Sequence, residues 1–141
     1  MKEDYLRIIM TTTSEIFKSM HQCSYQDLER LNLYPGQPQL LVLINENEGI
    51  SQKELADKKF VKAATITGML NKLEQNELVF RKADENDKRV MKVYLTERGR
   101  HIAEGSKKYL KDLHLRLFKD FSDDEIKNFI ELVIKIKENI K

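Results

Sequence analysis

The sequence predicts a mostly α-helical fold with a small β-hairpin wing, a winged helix-turn-helix flanked by N- and C-terminal helices. Apolar residues recur at helical spacing along most of the 141 residues, and only 5 Gly and 2 Pro interrupt them. Residues 78–95 differ, because two short runs of strand-forming residues are separated there by a polar loop. No linker or repeat divides the chain, so we expect a single domain over residues 1–141.

Two helices are expected before the centre of the chain. Apolar spacing over residues 6–20 indicates the first helix, and the threonines at 11–13 are expected to fray its middle. Residues 34–36 (Tyr-Pro-Gly) predict a turn. Residues 40–44 are all apolar, so the second helix should be buried on most sides, with Pro38 in its first turn.

The centre carries the helix-turn-helix and the hairpin. A capping box at residues 51–54 opens a short helix, and a second helix begins at residues 62–63. Two strands are predicted at 78–80 and 90–95, and the polar loop 83–88 joins them.

Two longer helices complete the prediction. In the second strand, Val93 and Leu95 should face inward, and Thr96 can cap the helix that follows. That helix is expected to run over residues 100–121. A second capping box, at residues 122–125, opens the terminal helix.

Charge is distributed unevenly along the chain. The net charge is only +2, but residues 51–100 carry twelve Lys and Arg against eight Asp and Glu, so this segment is +4 and the remainder −2. A basic centre between acidic ends suits contact with phosphates. The single cysteine, Cys23, and the lack of a signal peptide or membrane-length apolar run indicate a cytoplasmic protein with no membrane partner.

The second helix of the helix-turn-helix has an outer face suited to a major groove. Its outward residues are small or hydrogen-bonding; Thr67 can contact phosphates or bases, and Asn71 can read adenine. An ordinary amphipathic helix would also have a polar outer face. The basic hairpin that follows favours duplex DNA as the partner.

Eight motifs follow one another in register through this region. They are GQPQLL (36–41), SQKELA (51–56), ATIT (64–67), LE (73–74), LV (78–79), RK (81–82), DKR (87–89) and VYLTERG (93–99). In this order they resemble the MarR family, the multiple-antibiotic-resistance type of bacterial regulators. The resemblance implies a DNA-binding transcriptional regulator, by family default a ligand-responsive repressor of a palindromic operator.

The resemblance also implies an organisation for the chain. Residues 33–99 would form the DNA-binding core, with the helix-turn-helix at about 51–74 and the wing at about 78–95. Residues 1–30 and 100–141 would supply the dimerisation helices of an obligate homodimer. Each subunit would place a recognition helix in a major groove and a wing arginine in the adjacent minor groove.

Specific residues follow from the motif positions. By the resemblance, Arg89 is the minor-groove arginine, and Asp87 orients the wing by pairing with an arginine; a solvated turn is the other interpretation of residues 87–89. The residues expected to contact DNA are Ser51, Gln52, Lys53, Lys62, Ala63, Ala64, Thr65, Thr67, Gly68, Asn71, Lys72, Arg81, Lys82, Asp87, Lys88 and Arg89.

Three positions depart from the family pattern. The turn usually carries Leu-Gly, and here Lys59-Phe60 stands in its place, so we expect Phe60 to fill the space of the leucine and Lys59 to be exposed. Glu77 replaces the usual terminal Gly, and Asn76 is expected to take the left-handed conformation instead. Gly68 replaces a common arginine, which lets the helix approach DNA closely.

The sequence allows more than one interpretation of how the protein would sense an effector. The resemblance implies an effector pocket between the dimer base and the DNA-binding lobe, lined by Thr12, Met20, Tyr34 and residues of the 100–113 helix; simple packing accounts for these residues equally well. A thiol-sensing variant would use Cys23, but the only basic groups near it in sequence are Lys18 and His21.

Other classes of function have less support. His101 and His114 are thirteen residues apart, too far to share a metal ion, so no metal or cofactor is expected. The chain lacks the phosphate loops and nucleophile motifs of common enzymes, and Glu46 and Glu48 are explained as a solvated helix end. A winged helix used only for protein contacts is the remaining alternative to DNA binding.

Overall fold

The computed structural model describes residues 1–30 and 32–141, with all of their side chains except those of residues 21–27. The elements in chain order are α1 (Lys2–Glu29), α2 (Gln37–Glu46), α3 (Gln52–Lys59), α4 (Ala63–Gln75), β1 (Val79–Ala83), β2 (Met91–Leu95), α5 (Glu97–Leu117) and α6 (Asp123–Glu138). This order confirms the predicted fold class, mostly α with one hairpin. The chain forms two compact units, residues 1–107 and 108–141.

Helix α1 is continuous, so the fraying predicted at residues 11–13 is wrong. The Thr13 hydroxyl donates to the Ile9 carbonyl at 2.7 Å, and the Ser14 hydroxyl donates to the Met10 carbonyl at 2.9 Å. Side-chain hydroxyls bonded to the carbonyl one turn back are satisfied within the helix, so they need no break in it.

The core of the first unit forms around α2, as its apolar run predicts. Its residues Leu40, Leu41 and Ile44 have no solvent exposure, and Pro38 lies in the first turn. Neighbouring elements contribute further buried side chains, chiefly Leu55, Ile66, Leu70, Leu73, Leu78, Val79, Val93 and Leu95.

Strand β2 pairs on both of its sides. On one side it is antiparallel to β1, with Val79 opposite Leu95. On the other side, the amide of Gly49 donates to the Val93 carbonyl and the Val93 amide donates to the Ile50 carbonyl, both at 2.9 Å. This additional pairing was not predicted, and it fixes the root of the hairpin beside the start of α3.

Glu48 is exposed, as the interpretation of a solvated helix end predicts, but its carboxylate also has partners that the sequence did not indicate. Its carboxylate accepts two hydrogen bonds from the Arg100 guanidinium, at 2.7 and 2.8 Å, and one from the Leu95 amide at 3.2 Å. These hydrogen bonds, chiefly those from Arg100, lower the pKa of Glu48. The end of α2 is therefore joined to both β2 and α5.

The turn between α3 and α4 corrects the expectations for Phe60 and Lys59. Phe60 has the left-handed conformation (φ 54°) and is 89% exposed, whereas Lys59 is half-buried. The backbone closes this turn, because the Val61 amide donates to the Ala56 carbonyl at 3.1 Å. The ring fills no space in the core.

The end of α4 corrects a second expectation. Glu77, not Asn76, has the left-handed backbone, with φ of 56°. Asn76 is the C-cap at φ −84°, and the Leu78 amide reaches back to the Leu73 carbonyl at 2.9 Å. The Thr96 hydroxyl donates to the Glu77 carbonyl at 2.7 Å, which holds this carbonyl in place whatever side chain stands at position 77.

Helix α5 begins at the predicted cap and ends at Leu117, four residues before the predicted end. Thr96 accepts from the Gly99 amide at 2.9 Å, so the predicted cap is confirmed. Ser122 and Glu125 form the expected capping box at the start of α6. Among the described residues, no helix combines the length and the apolar character that crossing a membrane requires.

Candidate nucleic-acid interface

Helix α4 presents the polar outer face that the sequence predicted. Ile66, Leu70 and Leu73 are completely buried, which fixes the rotation of the helix about its axis. The opposite face is exposed from the first turn onward and includes Ala63, Ala64, Thr65, Gly68, Asn71 and Lys72. Most of these side chains are small, so the helix backbone can approach a surface closely.

Arg81 on β1 joins the wing to both helices of the helix-turn-helix. Its guanidinium donates to Glu74 through Nε (3.0 Å) and Nη2, to Asn71 Oδ1 through Nη2 (2.7 Å), and to Gln52 Oε1 through Nη1 (3.4 Å). The Arg81 side chain is only 19% exposed. The sequence predicted a DNA contact for Arg81, but in this structure four of its five guanidinium N–H groups are used within the chain.

Gln52 and Thr67 continue this network. Gln52 Nε2 donates to Thr67 Oγ1 at 3.4 Å, and the Thr67 hydroxyl donates to the Ala63 carbonyl at 3.0 Å. Both side chains are half-buried. Of the residues proposed from sequence as DNA contacts, these two hold α3 and α4 together, and neither lies on the open face.

The tip of the wing is organised by two carboxylates. Asp84 accepts from the Asp87 amide at 3.1 Å and pairs with Lys92 at 3.2 Å. Asp87 accepts from the Arg89 amide and Nε, both at 3.1 Å, and from Arg89 Nη2 at 3.3 Å. The pairing predicted for Asp87 is therefore present. Sequence reasoning missed Asp84, although an acid three residues before Asp87 in a short loop is a typical turn signal.

With these contacts, the side chain of the wing arginine, Arg89, still extends into solvent. The side chain of Arg89 is 91% exposed although Asp87 orients it. The hydrogen bonds from Arg89 lower the pKa of Asp87, and those from Lys92, above all, lower the pKa of Asp84. Both carboxylates therefore remain charged at neutral pH and keep the loop in this form.

The remaining predicted contacts form an exposed basic surface. Ser51 is used as the cap of α3, and the Lys72 ammonium lies 5.6 Å from the centre of the Tyr34 ring. Exposed basic side chains of the predicted set are found on α3, at the start and in the last turn of α4, and along the wing: Lys53, Lys62, Lys72, Lys82, Lys88 and Arg89.

Of the residues proposed for effector binding, Tyr34 and Ile102 of the predicted 100–113 helix line one cavity, whereas Thr12 and Met20 do not line it. Tyr34 lines a cavity of about 460 Å³ together with Glu29, Asn32, Arg98 and other residues. Thr12 lines a separate cavity of about 330 Å³ on α1. Met20 is half-buried on α1 and lines neither of these two cavities.

The sensing alternatives are only partly covered by the structure. Cys23 and His21 lie outside the described side chains. In the part of the chain that is described, no group of three or more His, Cys, Asp or Glu residues is arranged to hold a metal ion.

Sequence comparison finds relatives over the same region. The MarR family model matches residues 33–91. The HTH-type transcriptional regulator SarZ of Staphylococcus epidermidis is 32% identical over 94 residues, which is 65% of this chain and 61% of that protein. The chain thus spans about three-fifths of the length of this curated relative.

Structural comparison extends the similarity to nearly the whole chain. A Listeria monocytogenes protein assigned to the MarR family of transcriptional regulators, crystallised with a 26-mer DNA, is 30% identical with a TM-score of 0.83, covering 96% of this chain and 87% of that chain. The MarR protein from Peptoclostridium difficile is 26% identical with a TM-score of 0.88, covering 94% and 86%.

Proposed function

Because the chain belongs to the MarR family, we propose that it is a transcriptional regulator that binds duplex DNA as a homodimer. The relatives found by comparison are transcriptional regulators, and one was crystallised with DNA. Regulation of transcription, and not catalysis, is accordingly the proposed role, and binding to the chromosome would place it in the cytoplasm.

The observation that carries this proposal is that the chain has both an exposed face of small side chains on α4 and an exposed arginine on the wing. A helix with Ala, Thr and Gly on its outer face can lie deep in a major groove. A narrow minor groove has an enhanced negative potential that attracts a guanidinium, and Arg89 is both exposed and oriented. A surface used for protein contacts alone does not require this combination.

Exposed apolar faces support the proposed dimer. Helix α6 has no buried residue, and Ile130, Leu132, Ile134 and Ile136 are each about half exposed. Helix α1 likewise exposes Leu6, Ile8, Ile9, Met10 and Phe17. Surfaces of this kind are usually covered by a partner. A two-fold dimer would present two recognition helices to a palindromic operator.

Replacing Ile130 and Ile134 with Glu is expected to give a folded monomer. Four carboxylates facing one another across a two-fold interface cannot be desolvated without large cost. Light scattering should give a mass near 16.7 kDa for this variant and twice that mass for the wild type. Lys127→Glu, on the same helix, should remain dimeric. A wild-type chain that is monomeric at micromolar concentration would contradict the proposal.

A ligand-responsive repressor is the form of regulation we propose. Tyr34 lines the larger of the two cavities described above, and Lys72 of α4 lies over its ring. A ligand that displaced Tyr34 would therefore act on the recognition helix directly. Thr12 and Met20 remain proposed ligand contacts on α1.

Arg89→Ala is expected to weaken binding to every duplex by about 1–2 kcal/mol and to blunt the preference for A·T-rich flanks. The side chain is 91% exposed, so thermal stability should not change. Fluorescence anisotropy with duplexes selected from a random pool measures both effects. Lys119→Ala, which removes an exposed cation outside residues 51–100, is the matched control. Unchanged affinity of Arg89→Ala for A·T-rich flanks would exclude the minor-groove role.

A further inference from the structure

The side-chain amide of Asn71 is held in one orientation on the open face of α4. Its Oδ1 accepts from Arg81 Nη2 at 2.7 Å. Asn71 is exposed, and no described residue accepts a hydrogen bond from its Nδ2. The amide therefore uses its oxygen within the protein and offers its two N–H groups to solvent.

The opposite orientation of this amide is strongly disfavoured. A guanidinium has only donors, and the –NH2 group of asparagine is also only a donor. Rotating the amide by half a turn would bring two sets of N–H groups against each other. A charge-assisted hydrogen bond is stronger than a neutral one, so Arg81 selects the orientation with Oδ1 toward itself.

Arg81 is itself fixed without any help from DNA. Its Nε and Nη2 donate to the Glu74 carboxylate, its Nη1 donates to Gln52 Oε1, and its side chain is 19% exposed. The orientation of Asn71 is thus determined before a duplex is encountered.

We propose that Asn71 reads the major groove as a hydrogen-bond donor only, and so selects guanine and not adenine. This inference rests on the proposed function and revises the expectation that Asn71 reads adenine. The usual asparagine–adenine pair needs the amide oxygen to accept from adenine N6 while the –NH2 donates to N7. Guanine presents two acceptors, O6 and N7, and matches a group that has only donors.

The test begins with selection of bound duplexes from a random pool, followed by anisotropy with single-base changes. We expect one position in each half-site where guanine exceeds adenine by about 5- to 150-fold, the range of a good bidentate base contact. Replacing that guanine with 7-deazaguanine, which lacks N7 but pairs normally, should lower the affinity. The Asn71→Ala variant should bind guanine and adenine at that position equally.

Three further variants separate base recognition by Asn71 from the orientation of its amide by Arg81. Asn71→Asp keeps an oxygen for Arg81 and replaces the donors with an acceptor, so its preference should change to cytosine, whose N4 amino group is a donor. Arg81→Met releases the amide and should reduce the guanine-to-adenine ratio toward one. Glu74→Gln keeps an acceptor for Arg81 and should retain the guanine preference. A merely structural Arg81 would lower affinity for all sequences equally.

Two results would overturn the inference while leaving the proposed function intact. One is an adenine preference that disappears in Asn71→Ala, and the other is a base preference that Asn71→Ala does not change anywhere in the half-site. Failure of the wild-type protein to bind any duplex at low salt would instead overturn the proposed function itself.

Discussion

Raising the salt concentration from 50 to 200 mM is expected to lower the affinity for duplex DNA by about three to five orders of magnitude. Each neutralised phosphate releases condensed counterions, and the number of neutralised phosphates sets the slope of log affinity against log salt. Each subunit exposes six basic side chains on the proposed interface, from Lys53 to Arg89. A dimer that uses most of them neutralises about 6–10 phosphates, which weakens binding by this amount.

Mutation can show how much of the salt dependence of DNA affinity comes from the wing. Replacing Lys82 and Lys88 with Ala should make the slope shallower by about 0.9 for each phosphate that the variant no longer neutralises. Lys119→Ala should leave the slope unchanged. A slope near zero in the wild type would show that the basic surface does not face DNA, and it would favour a winged helix that contacts other proteins.

Gly99→Ala is expected to destabilise the fold by about 3 kcal/mol or more, beyond most single substitutions that overpack a core. A Cβ at this position would lie 1.8 Å from the Leu78 carbonyl oxygen and 2.7 Å from its carbon. Neither group can move freely, because the Leu78 oxygen accepts from the Thr96 amide at 3.1 Å and Thr96 caps the first turn of α5. The close approach of the Leu78 backbone, just before β1, to α5 therefore requires glycine.

Gly105 in the same helix provides the matched control. A Cβ there has no neighbour within 4 Å, so Gly105→Ala should stabilise the protein by about 0.5–1 kcal/mol through helix propensity. Denaturant unfolding at equal protein concentrations measures both variants, since dimerisation couples stability to concentration. Equal stability of Gly99→Ala and the wild type would mean that the close approach to Leu78 is not a constraint.

The sequence alone was enough to predict the elements and their order. The signals that predicted them act between residues that are close along the chain. They are the capping boxes at Ser51 and Ser122, Pro38 in the first turn of α2, and the spacing of apolar residues that is typical of helices or of strands. Local interactions of this kind do not depend on the tertiary arrangement. The motifs from residue 36 to residue 99 also identified the family correctly.

Tertiary structure decided where the charged and exposed side chains lie. Arg81 could be assigned to DNA from its basic strand, but its partner Gln52 is 29 residues away. Glu48 meets Arg100 across 52 residues. Phe60 lies in solvent because the turn is formed by its left-handed backbone and does not need its apolar ring to pack against the core. Sequence patterns predict which face of an element is buried. The partner of a long polar side chain is different, because it depends on which polar atoms the folded chain brings within about 3 Å of that side chain, the length of a hydrogen bond.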